Sequence, residues 1–154
     1  MQEENLYLAL QLHNYFDGGA SLYRNLKVDL NSKSEIRAQL DSICLSKNFI
    51  PLQETWKEIS MDAFKNLLQK ALHFNIGFLN DENMSFEEST FFYQQLTNHF
   101  EIDECLFFTN WHNDPWNSKN TSIAANTVSD ATLDLVLSVI HHQKLLFFYV
   151  LFED

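Results

Sequence analysis

His141 and His142, together with His112 and the terminal Glu153 and Asp154, are side chains of the kind that hold a divalent metal. Their spacing argues against one ion, because neighbours in an extended chain point to opposite faces and converge only if a tight turn brings them round. No metal and no cofactor is therefore expected. The run Trp111-His112-Asn113-Asp114-Pro115-Trp116-Asn117 offers a second chemistry. Two indoles flanking polar groups can stack on a planar ligand or anchor a protein interface, or they can fold back over a sheet with Asp-Pro making a turn. Asp103, Glu104, Asp114 and Asp134 supply carboxylates for acid–base work, yet nothing in the sequence sets two of them at a defined distance. There is no G-x-S-x-G and no phosphate-binding glycine loop, with three glycines in all. Cys44 and Cys105 sit in apolar periodic segments and read as two buried thiols, and His13 reads as a core or rim histidine. The chain is accordingly not expected to be an enzyme.

Charge carries more information than motif. Residues 1–70 hold nine acids and eight bases, whereas residues 71–154 hold twelve acids against Lys119 and Lys144. Almost the whole formal charge of −11 thus lies in the second part. Between Lys70 and Lys119 there is no base, while Asp81, Glu82, Glu87, Glu88, Glu101, Asp103, Glu104 and Asp114 all fall there. Such a segment is either a solvated acidic face or a negative field that steers a basic partner. Nucleic acid is disfavoured as a direct partner by the same argument, since phosphate neutralisation needs Lys and Arg. No apolar run approaches the length of a spanning helix, and the start Met-Gln-Glu-Glu has no signal-peptide pattern, so a cytoplasmic protein without membrane contact is expected.

These groups need elements to position them. At 154 residues, with 45% apolar side chains and fourteen Phe, the chain suits one domain, 1–154, able to bury a core without disulfides. Asn5 to Phe16 reads as a helix stopped by Gly18-Gly19, followed by an extended or short helical linker through Leu22, Tyr23, Leu26, Val28 and Leu30. Ser32 and Glu35 have capping-box spacing ahead of a helix carrying Ile36, Leu40, Ile43 and Cys44, which Phe49-Ile50-Pro51 breaks. Leu52, Trp56 and Ile59 suggest a short helical piece. Phe64, Leu67, Leu68, Ala71 and Leu72 give the cleanest helix, and Ser85 with Glu88 caps another that carries Phe91, Phe92, Tyr93, Leu96 and Phe100 and is expected to lie between layers. Cys105 to Phe108 reads as a strand, and a long connection then runs from Asn110 to about Ser129. Leu133, Leu135, Leu137 and Val139 alternate with less apolar residues, and Leu145 to Phe152 is continuously apolar. The two read as a hairpin turning at His141-His142-Gln143-Lys144, although Leu133, Val136, Leu137 and Ile140 also fit a helix capped by Ser129. The expected class is α+β, with helices in 1–100 packed on a small antiparallel sheet formed by 103–154.

The tail, Thr132-x-Asp134 opening an alternating strand, then a short turn and an aromatic strand ending Leu151-Phe152-Glu153-Asp154, resembles the C-terminal hairpin of some small bacterial proteins. Several of these are immunity proteins of contact-dependent growth inhibition and related polymorphic toxin systems. The resemblance covers the final quarter of the chain. It implies an acidic, cytoplasmic toxin inhibitor working by protein–protein interaction, with a cognate basic toxin domain as its partner. The reading of the charge makes that domain nuclease-type and names Asp81, Glu82, Glu87, Glu88, Asp103, Glu104 and Asp114 as partner-binding carboxylates, with Trp111 and Trp116 as apolar anchors. Two other readings stand beside it: a small enzyme or ligand-binding domain using the Trp111–Trp116 loop, and a structural subunit whose acidity serves solubility.

Overall fold

A computed structural model describes residues 2–6, 17–116 and 123–153. Its centre is the expected hairpin, β5 (Leu133–His141) and β6 (Lys144–Phe152), paired without a break from Leu133 opposite Phe152 to His141 opposite Lys144. The strands extend this hairpin on both sides. β2 (Asp17–Arg24) pairs with β6, and β1 (Gln2–Asn5) covers β2. β4 (Leu106–Thr109) pairs with β5, and β3 (Lys57–Ile59) covers β4. The result is one antiparallel sheet in the order β1-β2-β6-β5-β4-β3. With three helices among the described residues, the class is α+β, as expected.

Both faces of the sheet are covered, which is why the last strand is apolar at nearly every position rather than at alternate ones. Leu135, Leu137, Val139, Leu146, Phe148 and Val150 face one core, shared with α2 (Met61–His73). Val136, Ile140, Leu145 and Phe147 face the other, shared with α1 (Lys33–Ser46). α3 (Phe86–Thr97) packs beside α2 and buries only Ser89 and Leu96 fully, with Phe92 and Tyr93 half-buried.

The helix ends follow their side chains. Ser60 accepts from the Ala63 N–H at 3.1 Å. Ser85 and Glu88 form a complete capping box, each side chain bonding the other's backbone N–H. At Ser32 only half of the box forms, because the Glu35 carboxylate accepts from the Asp29 N–H at 2.9 Å instead.

Four expectations need correction. Asn5 lies in β1 rather than opening a helix, and the remainder of the helix expected to Phe16, with His13, lies outside the described residues. Gly18-Gly19 is not a helix stop but part of β2, where the Tyr149 ring crosses directly above Gly19 and a side chain would collide with it. The described part of the first hundred residues contributes three strands, so helices and sheet are not segregated along the chain. Leu52 to Ile59 forms a short 3₁₀ turn at Gln53–Thr55 followed by β3. That turn is held by the Asp41 side chain of α1, whose Oδ1 accepts from the Leu52 N–H at 2.9 Å and from the Trp56 indole at 2.8 Å.

Candidate functional site

The long connection after β4 is organised by Asp134, a carboxylate 4% exposed near the start of β5. Its oxygens accept from Asn110 Nδ2 and the hydroxyls of Thr127 and Ser129, each at 2.7 Å. They also accept from the N–H groups of Ser129 at 3.0 Å and Val128 at 3.2 Å. These neutral donors occupy both oxygens, so Asp134 pins the loop's return to the sheet and has no lone pair left for acid–base chemistry. Asn110 returns the contact, accepting from the Val136 N–H at 2.7 Å.

The two tryptophans of the loop fold inward. Trp111 is 1% exposed, gives its indole N–H to the Asp134 carbonyl at 2.6 Å, and stacks on Trp116 at 5.8 Å between ring centroids. As a surface anchor Trp111 is therefore corrected to a core residue. Trp116 is half-buried and donates to the Leu79 carbonyl at 3.0 Å, tying this loop to the connection between α2 and α3. Asp114 accepts from the Trp116 N–H at 3.0 Å.

The acidic residues are distributed by the helix they flank. Asp81 and Glu82 lie in the connection before α3, Glu87 and Glu88 in its first turn, and Glu101, Asp103 and Glu104 beyond its C-terminus; all seven are exposed. The segments that carry them contribute Ile76, Met84, Phe92, Ile102 and Cys105 to the same core, on the α2–α3 side of the sheet. Bases from the first half pair elsewhere. Among the described residues, ion pairs join Arg24 to Glu4, Lys33 to Glu58 at 2.5 Å and Lys47 to Glu3 at 3.6 Å. Glu82 and Glu104 instead meet His73 at 3.5 Å and His141 at 3.3 Å. Among the described residues, α2 carries Lys65 and Lys70, the Lys70 ammonium resting over the Phe74 ring at 5.5 Å, and Lys144 reaches the His99 carbonyl at 3.3 Å beyond the C-terminal end of α3.

Sequence reasoning missed what lies among these carboxylates. Phe78 is 57% exposed, Phe86 71% and Phe91 54%, so α3 leaves two of its own rings open to solvent rather than being enclosed between layers. A signal existed for Phe91, which at 3.6 residues per turn lies about 140° around the helix from Leu96. Phe86 gave none, because it stands in the first turn of the helix. Phe78 packs edge-on against Phe152 at 5.4 Å, and these two rings with Asn75, Asn80, Asp81, Glu82 and Asn83 line an open cleft. A cationic side chain placed there would have a ring face and two carboxylates within reach.

The histidines separate into two places. His112 faces Asn126, with 3.0 Å between Nε2 and Nδ2, and Glu153 lies beyond β6 at the far end of the hairpin from His141. His141, His142 and Glu104 come together, with one ligand atom from each lying within 4.8 Å of the others. Burial holds the nearby His99 imidazole below its ordinary range. Burial likewise pushes the Cys44 thiol up to about 12 and the Cys105 thiol to about 11, and neither forms a disulfide. Among the described residues, no helix is long and apolar enough to cross a membrane. No family model matches the chain, and no curated protein or solved structure matches it.

Proposed function

We propose that the protein is an immunity-type inhibitor that binds and blocks a cationic protein, a toxin domain of the nuclease type, through the surface around the N-terminal end of α3. The observation that carries this reading is the placing of exposed Phe78 and Phe86 among Asp81, Glu82, Glu87 and Glu88, in a segment without bases. Exposed aromatic rings supply the desolvated centre that interfaces draw their affinity from, and a carboxylate rim selects a basic partner and speeds the encounter. The cleft between Phe78 and Phe152 would receive a Lys or Arg side chain of that partner. Asp103, Glu104 and Asp114 extend the negative field, while Phe78, Phe86 and Phe91 take the anchoring role assigned from sequence to Trp111 and Trp116.

The test is binding of the purified chain to the protein encoded beside it, followed by calorimetry or surface plasmon resonance between 50 mM and 500 mM salt. A complex is expected whose association rate falls steeply with salt. Replacing Asp81, Glu82, Glu87 and Glu88 together by their amides should slow association about tenfold or more. A complex insensitive to both salt and the amide variant, or no complex at all, would overturn the proposal.

A further inference from the structure

The β5–β6 turn brings two adjacent imidazoles to the same side of the chain. His141 is the last paired residue of β5, opposite Lys144, and His142 and Gln143 alone form the connection. His142 has φ of 50°, in the left-handed region that side-chain-bearing residues seldom enter. This reversal defeats the strand alternation that would otherwise separate neighbouring side chains, and the two rings lie 3.9 Å apart at 54°. Glu104, from the 3₁₀ turn Ile102–Glu104 ahead of β4, reaches the same place, with its Oε2 3.3 Å from His141 Nε2.

The geometry points to a binding site for a divalent transition metal of the zinc class, formed by Glu104, His141 and His142. Zinc bonds to imidazole nitrogen and carboxylate oxygen at about 2.0–2.2 Å, so at tetrahedral angles its ligand atoms stand about 3.4 Å apart. The His141–Glu104 pair already has that spacing, and the third ligand atom lies within 4.8 Å of both. Side-chain rotation closes the remainder. Two imidazoles and a carboxylate form a borderline donor set, suited to zinc, cobalt, nickel or copper rather than to magnesium or calcium, which prefer oxygen alone.

A groove lined by His99, Phe100, Glu101, His141, His142 and Lys144 lies beside the cluster, leaving room for a fourth ligand from water or from a bound molecule. Lys144 in that lining extends its ammonium to the His99 carbonyl at 3.3 Å. The metal would tie the turn of the central hairpin to the segment that enters β4, joining two parts of the sheet that are distant in sequence. The site lies apart from the proposed partner surface at the start of α3, sharing with the wider negative field only Glu104.

Titration with ZnCl₂ and CoCl₂, read by calorimetry and by the visible absorption of cobalt, tests the site. One equivalent should bind, cobalt should show the intense bands of a tetrahedral ion, and zinc should raise the melting temperature. His142→Asn removes a ligand but leaves the turn with a residue tolerant of positive φ, so the fold is retained; Glu104→Gln removes the carboxylate. Each should weaken binding at least tenfold and abolish the thermal shift. His73→Asn removes the separate His73–Glu82 pair and Cys105→Ser the nearby thiol, and both should bind as the parent does. Binding unchanged in His142→Asn and Glu104→Gln, lost in His73→Asn or Cys105→Ser, or weaker than millimolar in the parent would overturn the assignment.

Discussion

Replacing Asp134 by alanine tests whether one buried carboxylate holds the 110–130 connection on the sheet. Five donors converge on it. Thr127 is exposed and Ser129 half-buried, so their groups can turn to water when the carboxylate is removed. The Val128 N–H and the Asn110 amide are buried and cannot. A buried donor left without an acceptor costs roughly 1–3 kcal/mol, and Asn110 keeps its weaker contacts to the Asn126 and Asp134 carbonyls. The expected loss is therefore about 2–4 kcal/mol. For a chain of 154 residues the unfolding entropy is about 0.3 kcal/mol per kelvin, so the melting temperature should fall by about 10 °C. Asp134→Asn, which keeps one acceptor oxygen, should fall between the alanine variant and the parent. Thermal unfolding by circular dichroism measures the loss, and limited proteolysis locates it. In Asp134→Ala, new cleavages should appear between 110 and 130 while the β5–β6 hairpin resists. A drop below about 3 °C, or cleavage no faster than in the parent, would show that the connection is held by Trp111 and its packing alone.

Further expectations follow from the same contacts. Phe86→Ala should leave the melting temperature nearly unchanged, because the ring is 71% exposed, yet weaken the complex with a cationic partner by about 2 kcal/mol, measured by calorimetry. Gly19→Ala should destabilise by about 1–3 kcal/mol in urea unfolding, since the new Cβ would stand 2.6 Å from the Tyr149 hydroxyl and displace a ring that packs edge-on to Phe49. Alkaline pH should unfold the protein. Burial, aided by Glu3, raises the Tyr23 hydroxyl to about 12, and burial raises the Cys44 thiol to about 12. The folded chain thus retains protons that the unfolded chain releases at about 9–10. That stability is fully present below about pH 9 and is lost as pH rises towards about 12, which a pH series of urea midpoints would reveal. At 1 M salt the protein should self-associate in sedimentation experiments while remaining monomeric at low salt, and Phe86→Ala should suppress this.

The parts of the fold legible in the sequence are those where local chemistry and burial agree. α1, α2 and α3 begin at the serines that cap them, Ser32, Ser60 and Ser85, and α2 carries its buried residues at strict helical spacing. The hairpin was legible because Leu133 to Val139 alternates and Leu145 to Phe152 does not, which distinguishes its two strands from helices of similar composition. β2 was obscured by Gly18 and Gly19, residues depleted in strands, and it is recruited by pairing with β6 rather than by its own propensity. At the candidate site the carboxylates were legible as a charge run, but the rings among them were not. A phenylalanine reads as core until the structure shows that its flank of the helix has nothing to pack against. The Glu104–His141–His142 cluster was hidden for a different reason, since it depends on one positive φ at a position that glycine would ordinarily take.

A sheet buried on both faces leaves little room for large apolar side chains elsewhere, so the exposure of Phe78, Phe86 and Phe91 needs a physical account. Exposed rings invite self-pairing, because two copies gain by covering each other's apolar area. Here such pairing would also bring Asp81, Glu82, Glu87 and Glu88 of one copy against the same four of another, without bases in that segment to neutralise them. Like charges facing each other across an interface cost several kcal/mol at low salt, enough to offset the burial of one or two rings. The same arrangement meets no such opposition from a positively charged surface, where every carboxylate contact changes sign. On the proposed reading, the carboxylates would act as a filter on what covers the rings, rejecting a second copy and admitting a cation-rich partner. Acidity serving solubility alone would require no such placement, and could be scattered over any part of the molecule with the same effect.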